Sequence, residues 1–225
     1  IKGNNVIKGV NLEGLRVVGS PIELAYKYYQ QGVDELLFMD CVASLYGRNQ
    51  LTQIISDAAN NIFIPITVGG GLRSISDIKE ILRVGADKVS LNTAVIKNPG
   101  LIRDASRKFG SSTIIVAVEC IKEGPDNYLA YTDNGREYTG IDVFEWVKEI
   151  EKLGAGEIVV SSVDKEGTGE GYDTELISKI SNLVDIPVIA HGGPGKKEDV
   201  VNLTNNVDVD ALMISSLFHY KFIFY

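Results

Sequence analysis

Short runs of valine, isoleucine and leucine alternate along the chain with stretches whose apolar residues recur at helical spacing. Continuous apolar runs read as strands buried on both faces, and their alternation with helical segments is the pattern of a parallel sheet covered by helices. The strands are predicted at Glu35–Asp40, Ile64–Gly69, Lys88–Asn92, Thr113–Glu119, Glu157–Val163, Ile186–Gly192 and Ala211–Leu217. Helices are expected to begin near Ser20, Asn49, Ser76, Pro99, Asp142, Asp173 and Lys196, several of them opened by a capping residue or a first-turn proline. Ser20-Pro21-Ile22-Glu23 and Asp142-Val143-Phe144-Glu145 each set a capping side chain three residues ahead of a glutamate. The rhythm breaks between Lys122 and Gly135. There the turn signals Gly124-Pro125-Asp126-Asn127 and Asp133-Asn134-Gly135 flank Tyr128-Leu129-Ala130-Tyr131, predicting a hairpin inserted after a strand.

An internal repeat organises these elements. At a shift of 122 residues Glu23 aligns with Glu145, Gly32 with Gly154, Glu35 with Glu157, Ile64-Pro65-Ile66 with Ile186-Pro187-Val188, and Gly70-Gly71 with Gly192-Gly193. Two similar halves of about four strand–helix units predict one (βα)8 TIM barrel domain over residues 1–225, with half-barrels at approximately 1–110 and 111–225. The repeat sets the partner of the strand ending at Glu119 ahead of residue 1. The tail after the eighth strand is short for a covering helix, so the barrel is expected to lack its first strand and last helix in this chain.

Composition narrows the class. With 44% hydrophobic and 23% charged residues the chain can bury a core. No apolar run approaches the roughly 18 residues of a membrane span, and Ile1-Lys2-Gly3-Asn4-Asn5 lacks the apolar segment of a signal peptide. A cytoplasmic protein with no membrane partner is expected. Cys41 and Cys120 have no Cys-x-x-Cys neighbour, so neither a disulfide framework nor a metal site is indicated. The net charge of −8 argues against a nucleic-acid partner but leaves room for a local anion site. Glycine, at 23 of 225 residues, exceeds the usual share of roughly 7%.

Those glycines cluster where a barrel keeps its chemistry. Val68-Gly69-Gly70-Gly71 ends one predicted strand and Asn92-Thr93 the next; His191-Gly192-Gly193 and Ser215-Ser216 repeat the arrangement in the second half, beside Gly167-Thr168-Gly169. Backbone N–H groups freed of side chains can approach phosphate oxygens, and two such sets suit a substrate with a phosphate at each end. Either loop alone would serve as well for a tight strand-to-helix turn. Asp40, Glu119 and Asp164 stand at C-terminal strand ends, with Glu166 two residues further on. Glu119 closes the run Ile114-Ile115-Val116-Ala117-Val118, where burial would raise its pKa toward the general-acid range; the alternative is a loop carboxylate capping backbone N–H groups. At the opposite end Glu35, Lys88 and Glu157 begin alternate strands, and charges facing a barrel axis are expensive unless paired or functional. They could equally point outward or form a structural ion-pair plug. The patterns of zinc, serine and nucleotide hydrolysis are missing.

Val6-Ile7-Lys8-Gly9-Val10-Asn11, Asp34-Glu35-Leu36-Leu37-Phe38-Met39-Asp40, Thr67-Val68-Gly69-Gly70-Gly71, Ala86-Asp87-Lys88-Val89-Ser90-Leu91-Asn92, Gly154-Ala155-Gly156-Glu157-Ile158 and Gly167-Thr168 through Gly171-Tyr172-Asp173 closely resemble the cyclase subunits of imidazole glycerol phosphate synthase. The resemblance runs almost end to end. It implies a glutaminase subunit docked on the N-terminal face of the barrel and ammonia passing through the barrel to the other mouth. There a bisphosphorylated aminoimidazole ribonucleotide would become imidazole glycerol phosphate and an aminoimidazole carboxamide ribonucleotide, with no cofactor. By the same resemblance Gly71, Asn92 and Thr93 would hold one phosphate and Gly167, Gly193, Ser215 and Ser216 the other. Glu35, Lys88 and Glu157 would form the ammonia gate, and Lys8 would sit in a first loop that closes over substrate. Asp40, Gly70, Glu166, His191 and Gly192 complete the expected substrate-binding set.

The family's two catalytic aspartates end its first and fifth strands. Here the first falls outside the sequence and the second is Glu119, one methylene longer. Glu166 stands for a usual aspartate and His191 for a usual small residue. These departures keep two alternatives open: a paralogue supplying ammonia for amidation of a surface-polysaccharide sugar, and a non-catalytic barrel that binds a glutaminase. The family's sister isomerase in histidine biosynthesis works alone and needs no ammonia, so this resemblance is weaker: it would have no use for the charged gate.

Overall fold

A computed structural model describes residues 1–41 and 52–220. The chain opens with an antiparallel hairpin, β1 (Val6–Val10) and β2 (Glu13–Gly19), followed by α1 (Pro21–Gln30). Strand and helix then alternate: β3 (Leu36–Met39), α2 (Thr52–Ala59), β4 (Ile66–Gly69), α3 (Ile75–Arg83), β5 (Lys88–Leu91), α4 (Thr93–Lys97) and α5 (Gly100–Phe109). The second part holds β6 (Ile114–Gly124), β7 (Asn127–Thr132), β8 (Glu137–Asp142), α6 (Val143–Leu153), β9 (Glu157–Ser162), α7 (Thr174–Ser181), β10 (Val188–His191), α8 (Lys197–Asn206), β11 (Ala211–Met213) and the short α9 (Ser216–His219).

Seven strands pair in parallel in the order β3-β4-β5-β6-β9-β10-β11, the α/β barrel pattern expected from the alternation. Among the described residues no strand joins the edge strands β3 and β11. The Ile1 carbonyl lies against the β3 edge and accepts from the Cys41 N–H at 3.0 Å.

Successive side chains of a strand face opposite ways, so each strand serves two layers. Ile114, Val116 and Val118 of β6 join Val68, Val89, Ile158 and Val160 in the core beneath the helices, with Ile78, Ile102, Ile150 and Leu176 packed over them. Ile115, Ala117 and Val159 form a second cluster with Ile189 and Met213. Glu119 continues the Ile115, Ala117 series, which places its carboxylate inside the barrel rather than among the helices. Two aspartates 123 residues apart pin strand starts in the same way. Asp87 accepts from the Ile66 N–H and Asp210 from the Val188 N–H, each at 2.8 Å.

Local details correct the sequence reading. β4 and β10 begin after Pro65 and Pro187 rather than at Ile64 and Ile186, because proline has no N–H for the ladder. The eighth strand stops at Met213, since the chain turns so that Ser215 precedes α9. Helix α3 starts at Ile75, with Ser74 accepting from the Asp77 N–H. Asp142 caps α6 as expected, accepting from the Glu145 N–H at 3.0 Å, whereas Ser20 makes no capping bond and Pro21 alone opens α1. The helix expected near Asn49 begins outside the described residues and is seen from Thr52.

The inserted hairpin is larger than predicted. β6 runs unbroken into it, and β8 adds a third strand. The β1–β2 hairpin was not predicted from the alternation; its turn is Asn11-Leu12, both left-handed at φ 48° and 61°, and Asn11 was its one local signal.

Candidate active site

At the N-terminal ends of the strands the three charged residues meet. Lys88 Nζ donates to both carboxylate oxygens of Glu35, at 2.9 and 3.1 Å, and to Glu157 Oε1 at 2.7 Å. Burial works against the Lys88 charge, but hydrogen bonds to the two carboxylates outweigh it and hold its pKa above the usual lysine value. The cluster is therefore a paired network, not a set of side chains pointing apart.

The C-terminal ends carry the other candidates. Glu119 lies opposite Ser161 of β9 and Tyr131 of β7. Its carboxylate accepts from the Gly135 N–H at 2.8 Å and from the Asn92 side chain. Burial pushes its pKa up to about 7 against these stabilising bonds, with Asp133 adding like charge. Such a group can hold or release a proton near neutrality.

The glycine loops differ in what they surround. Gly70 and Gly71 take φ of +94° and +70°, and a Cβ on Gly70 would lie 2.2 Å from the Asp40 carbonyl oxygen. Gly193, at φ +116°, passes the Gly171 carbonyl so closely that a Cβ would lie 2.0 Å from its oxygen. Backbone crowding alone therefore requires glycine at both places. Asp40 is buried directly after β3, and its N–H donates to the Gly69 carbonyl at 2.9 Å. Asn92 turns toward Glu119, and Thr93 opens α4. The second set converges more fully: Glu166, Gly167, His191, Gly192, Gly193, Ser215 and Ser216 line one small pocket.

One wall of that pocket is a buried polar chain. Lys8 of β1 forms an ion pair with Glu166, whose side chain is 1% exposed. The Glu166 backbone carbonyl accepts from the Asn11 N–H at 2.7 Å, and its Oε2 from the Leu12 N–H at 3.4 Å. Gly167 lies so near Gly9 that a Cβ would sit 2.5 Å from the Gly9 oxygen. The loop after β9 thus holds the first hairpin. His191 lies 4.0 Å from Glu166 and shares a 2.9 Å hydrogen bond with Ser161.

Burial, with Lys8 adding like charge, lowers the His191 pKa to about 3. Burial likewise lowers Lys8 to about 8, against the raising influence of Cys41. A histidine that stays neutral when folded contributes stability above its ordinary value of 6.5, and that contribution is lost as pH falls toward 3. Urea unfolding at pH 7 and pH 4 should show His191→Ser flattening the acid loss of stability. An unchanged pH dependence would refute the neutral assignment.

Asp164 does not join the mouth. It is exposed and accepts from the Lys122 N–H at 2.9 Å, the role of a loop carboxylate that holds a backbone N–H. His219 packs instead of reacting, sharing a 2.8 Å hydrogen bond with Tyr28. The residues that sequence reasoning missed are Ser161 and the turn Asp133-Asn134-Gly135. The turn was legible only as a turn.

The family described as histidine biosynthesis protein matches residues 1–223. The chain belongs to that family. Imidazole glycerol phosphate synthase subunit HisF of Legionella pneumophila is 56% identical over 199 residues, covering 88% of this chain and 94% of that protein. The subunit of the same name from Lactococcus lactis is 47% identical over 221 residues, covering 98% and 85%. That of Streptococcus mutans is 43% identical over 220 residues, covering 98% and 88%. Among the described residues no helix of this family member is long and apolar enough to cross a membrane.

Proposed function

We propose that the chain is the cyclase subunit of an imidazole glycerol phosphate synthase. It receives ammonia from a glutaminase partner seated over Glu35, Lys88 and Glu157. At the opposite mouth it converts the bisphosphorylated aminoimidazole carboxamide ribonucleotide to imidazole glycerol phosphate and an aminoimidazole carboxamide ribonucleotide. The observation that carries this reading is the Glu119 carboxyl, held inside the C-terminal mouth with its pKa raised to about 7. There it can pass a proton to or from a substrate anchored at both ends. Gly71, Asn92 and Thr93 would anchor one phosphate and Gly167, Gly193, Ser215 and Ser216 the other, through backbone N–H, amide and hydroxyl donors.

Identity of 43–56% to subunits of that name, over most of their length, favours this activity over the sugar-amidation and non-catalytic alternatives. Two free cysteines suit a reducing cytoplasm. The matched contacts of Asp87 and Asp210 support a single barrel domain with halves at approximately 1–110 and 111–225.

The test is turnover of the bisphosphorylated ribonucleotide with ammonium salts, and with glutamine once the glutaminase partner is added. Release of imidazole glycerol phosphate is the expected result. Binding of the substrate without turnover would overturn the reading.

A further inference from the structure

Three successive residues between β7 and β8, Asp133, Asn134 and Gly135, all take left-handed backbone conformations, with φ of 55°, 63° and 74°. Aspartate and asparagine are the non-glycine residues that tolerate this conformation best, as hairpin turns with two left-handed residues require. Here the turn is fastened to β6 and to the residues that follow β3 and β9. The Gly135 N–H donates to Glu119 Oε2 of β6 at 2.8 Å. The Asn134 side chain donates to the Cys41 carbonyl beyond β3 at 2.9 Å. Gly135 itself lies against Val163 beyond β9, so closely that a Cβ would be 2.8 Å from Val163 Cγ1.

A turn whose backbone N–H faces a carboxylate suits the anion. The Asn134 and Gly135 N–H groups both act on Glu119, and Asn92 adds a side-chain donor from the end of β5. The same turn brings the buried Asp133 carboxylate, which among the described residues adds like charge to Glu119; Ser161 and Tyr131, opposite it on β9 and β7, are neutral at pH 7.

We propose that Asp133-Asn134-Gly135 is a positioning element that orients the Glu119 carboxyl and tunes its proton affinity, two backbone donors favouring the anion and Asp133 opposing it. The proposal deepens the assignment of Glu119 above and rests on that reading for its catalytic meaning. The donors act with burial against them, so removing a donor and removing the opposing charge must move Glu119 in opposite directions. Neither simple loosening of the turn nor general destabilisation does that.

The experiment is a ¹³C-carboxyl NMR titration of the full chain, the Glu119 resonance being assigned by its loss in Glu119→Gln. Gly135→Ala, strained at φ +74° and crowded by Val163, should displace the donor and move the midpoint up by about one pH unit. Asp133→Asn should move it down by a similar amount. Asn92→Leu removes a donor without touching the turn and should move it up if Gly135→Ala does not fold. Shifts in one common direction, or none, would overturn the proposal. The pH profile of ammonia-driven turnover separates the two readings. Midpoints that move as expected while the profile stays put would uphold the positioning element and overturn Glu119 as the catalytic group.

Discussion

Glu119→Gln is expected to lower ammonia-driven turnover at pH 7 by about 10²- to 10⁴-fold, the usual contribution of a positioned general acid or base, while making the folded chain more stable above pH 7. Both effects come from the same burial. The carboxyl titrates at about 7 in the folded chain against an ordinary value of 4.5. Its neutral form is therefore the one the fold prefers. The favourable contribution is complete below pH 4.5 and is lost as pH rises through 7, where the ionised group destabilises by up to about 3 kcal/mol. Glutamine keeps an acceptor for the Gly135 N–H but carries no charge, so it removes that penalty along with the proton transfer. Steady-state kinetics with ammonium salts and urea unfolding at pH 6 and pH 8 read the two effects. Unimpaired turnover would show that Glu119 does not move the proton. A stability loss at pH 8 would show that the carboxylate is better accommodated than its burial implies.

The second large effect is expected at the other end of the barrel. Lys88→Met leaves the carboxylates of Glu35 and Glu157 together without their shared cation. Glu157 is 18% exposed on its side chain, so its loss is only partly relieved by water, whereas Glu35 is 43% exposed and far better solvated. Discounted for that exposure, the substitution should destabilise the chain by about 2 kcal/mol, less than the breaking of a fully buried pair. Glu35→Gln alone should cost about 1 kcal/mol or less. If the cluster admits ammonia, glutamine-driven turnover of the complex should fall far more than turnover driven by added ammonium. Equal losses in both assays would reduce the cluster to a structural ion pair.

How much of this was legible beforehand depends on the range of each interaction. The apolar run from Ile114 to Val118 announced that Glu119 would be partly buried, and the places of Glu35, Lys88 and Glu157 at alternate strand starts announced that they could meet, while leaving open whether they point outward. The paired glycines announced tight crossings at the mouth. Strand starts were legible to within about two residues, local features such as Pro65 deciding them, whereas β11 stops at Met213 short of the expected Leu217 and β6 runs past Glu119 to Gly124. The first hairpin escaped notice because its short alternation sits outside the strand–helix rhythm.

The partners of the mouth residues belong to the tertiary structure. Asn134 reaches Cys41 across 93 residues, and Glu166 takes the Leu12 N–H across 154. Nothing in either segment names the other. Side-chain periodicity is a property of the local backbone, so the fold class and the candidate residues at the strand ends could be read from residue order, whereas the inward face of Glu119 and the pairing of Lys88 with Glu35 and Glu157 came from the structure. Which donors surround a carboxylate is settled by the curl and register of the sheet. These decide that Glu119 stands among N–H groups and titrates near neutrality, while Glu166 is covered by Lys8 of the first hairpin.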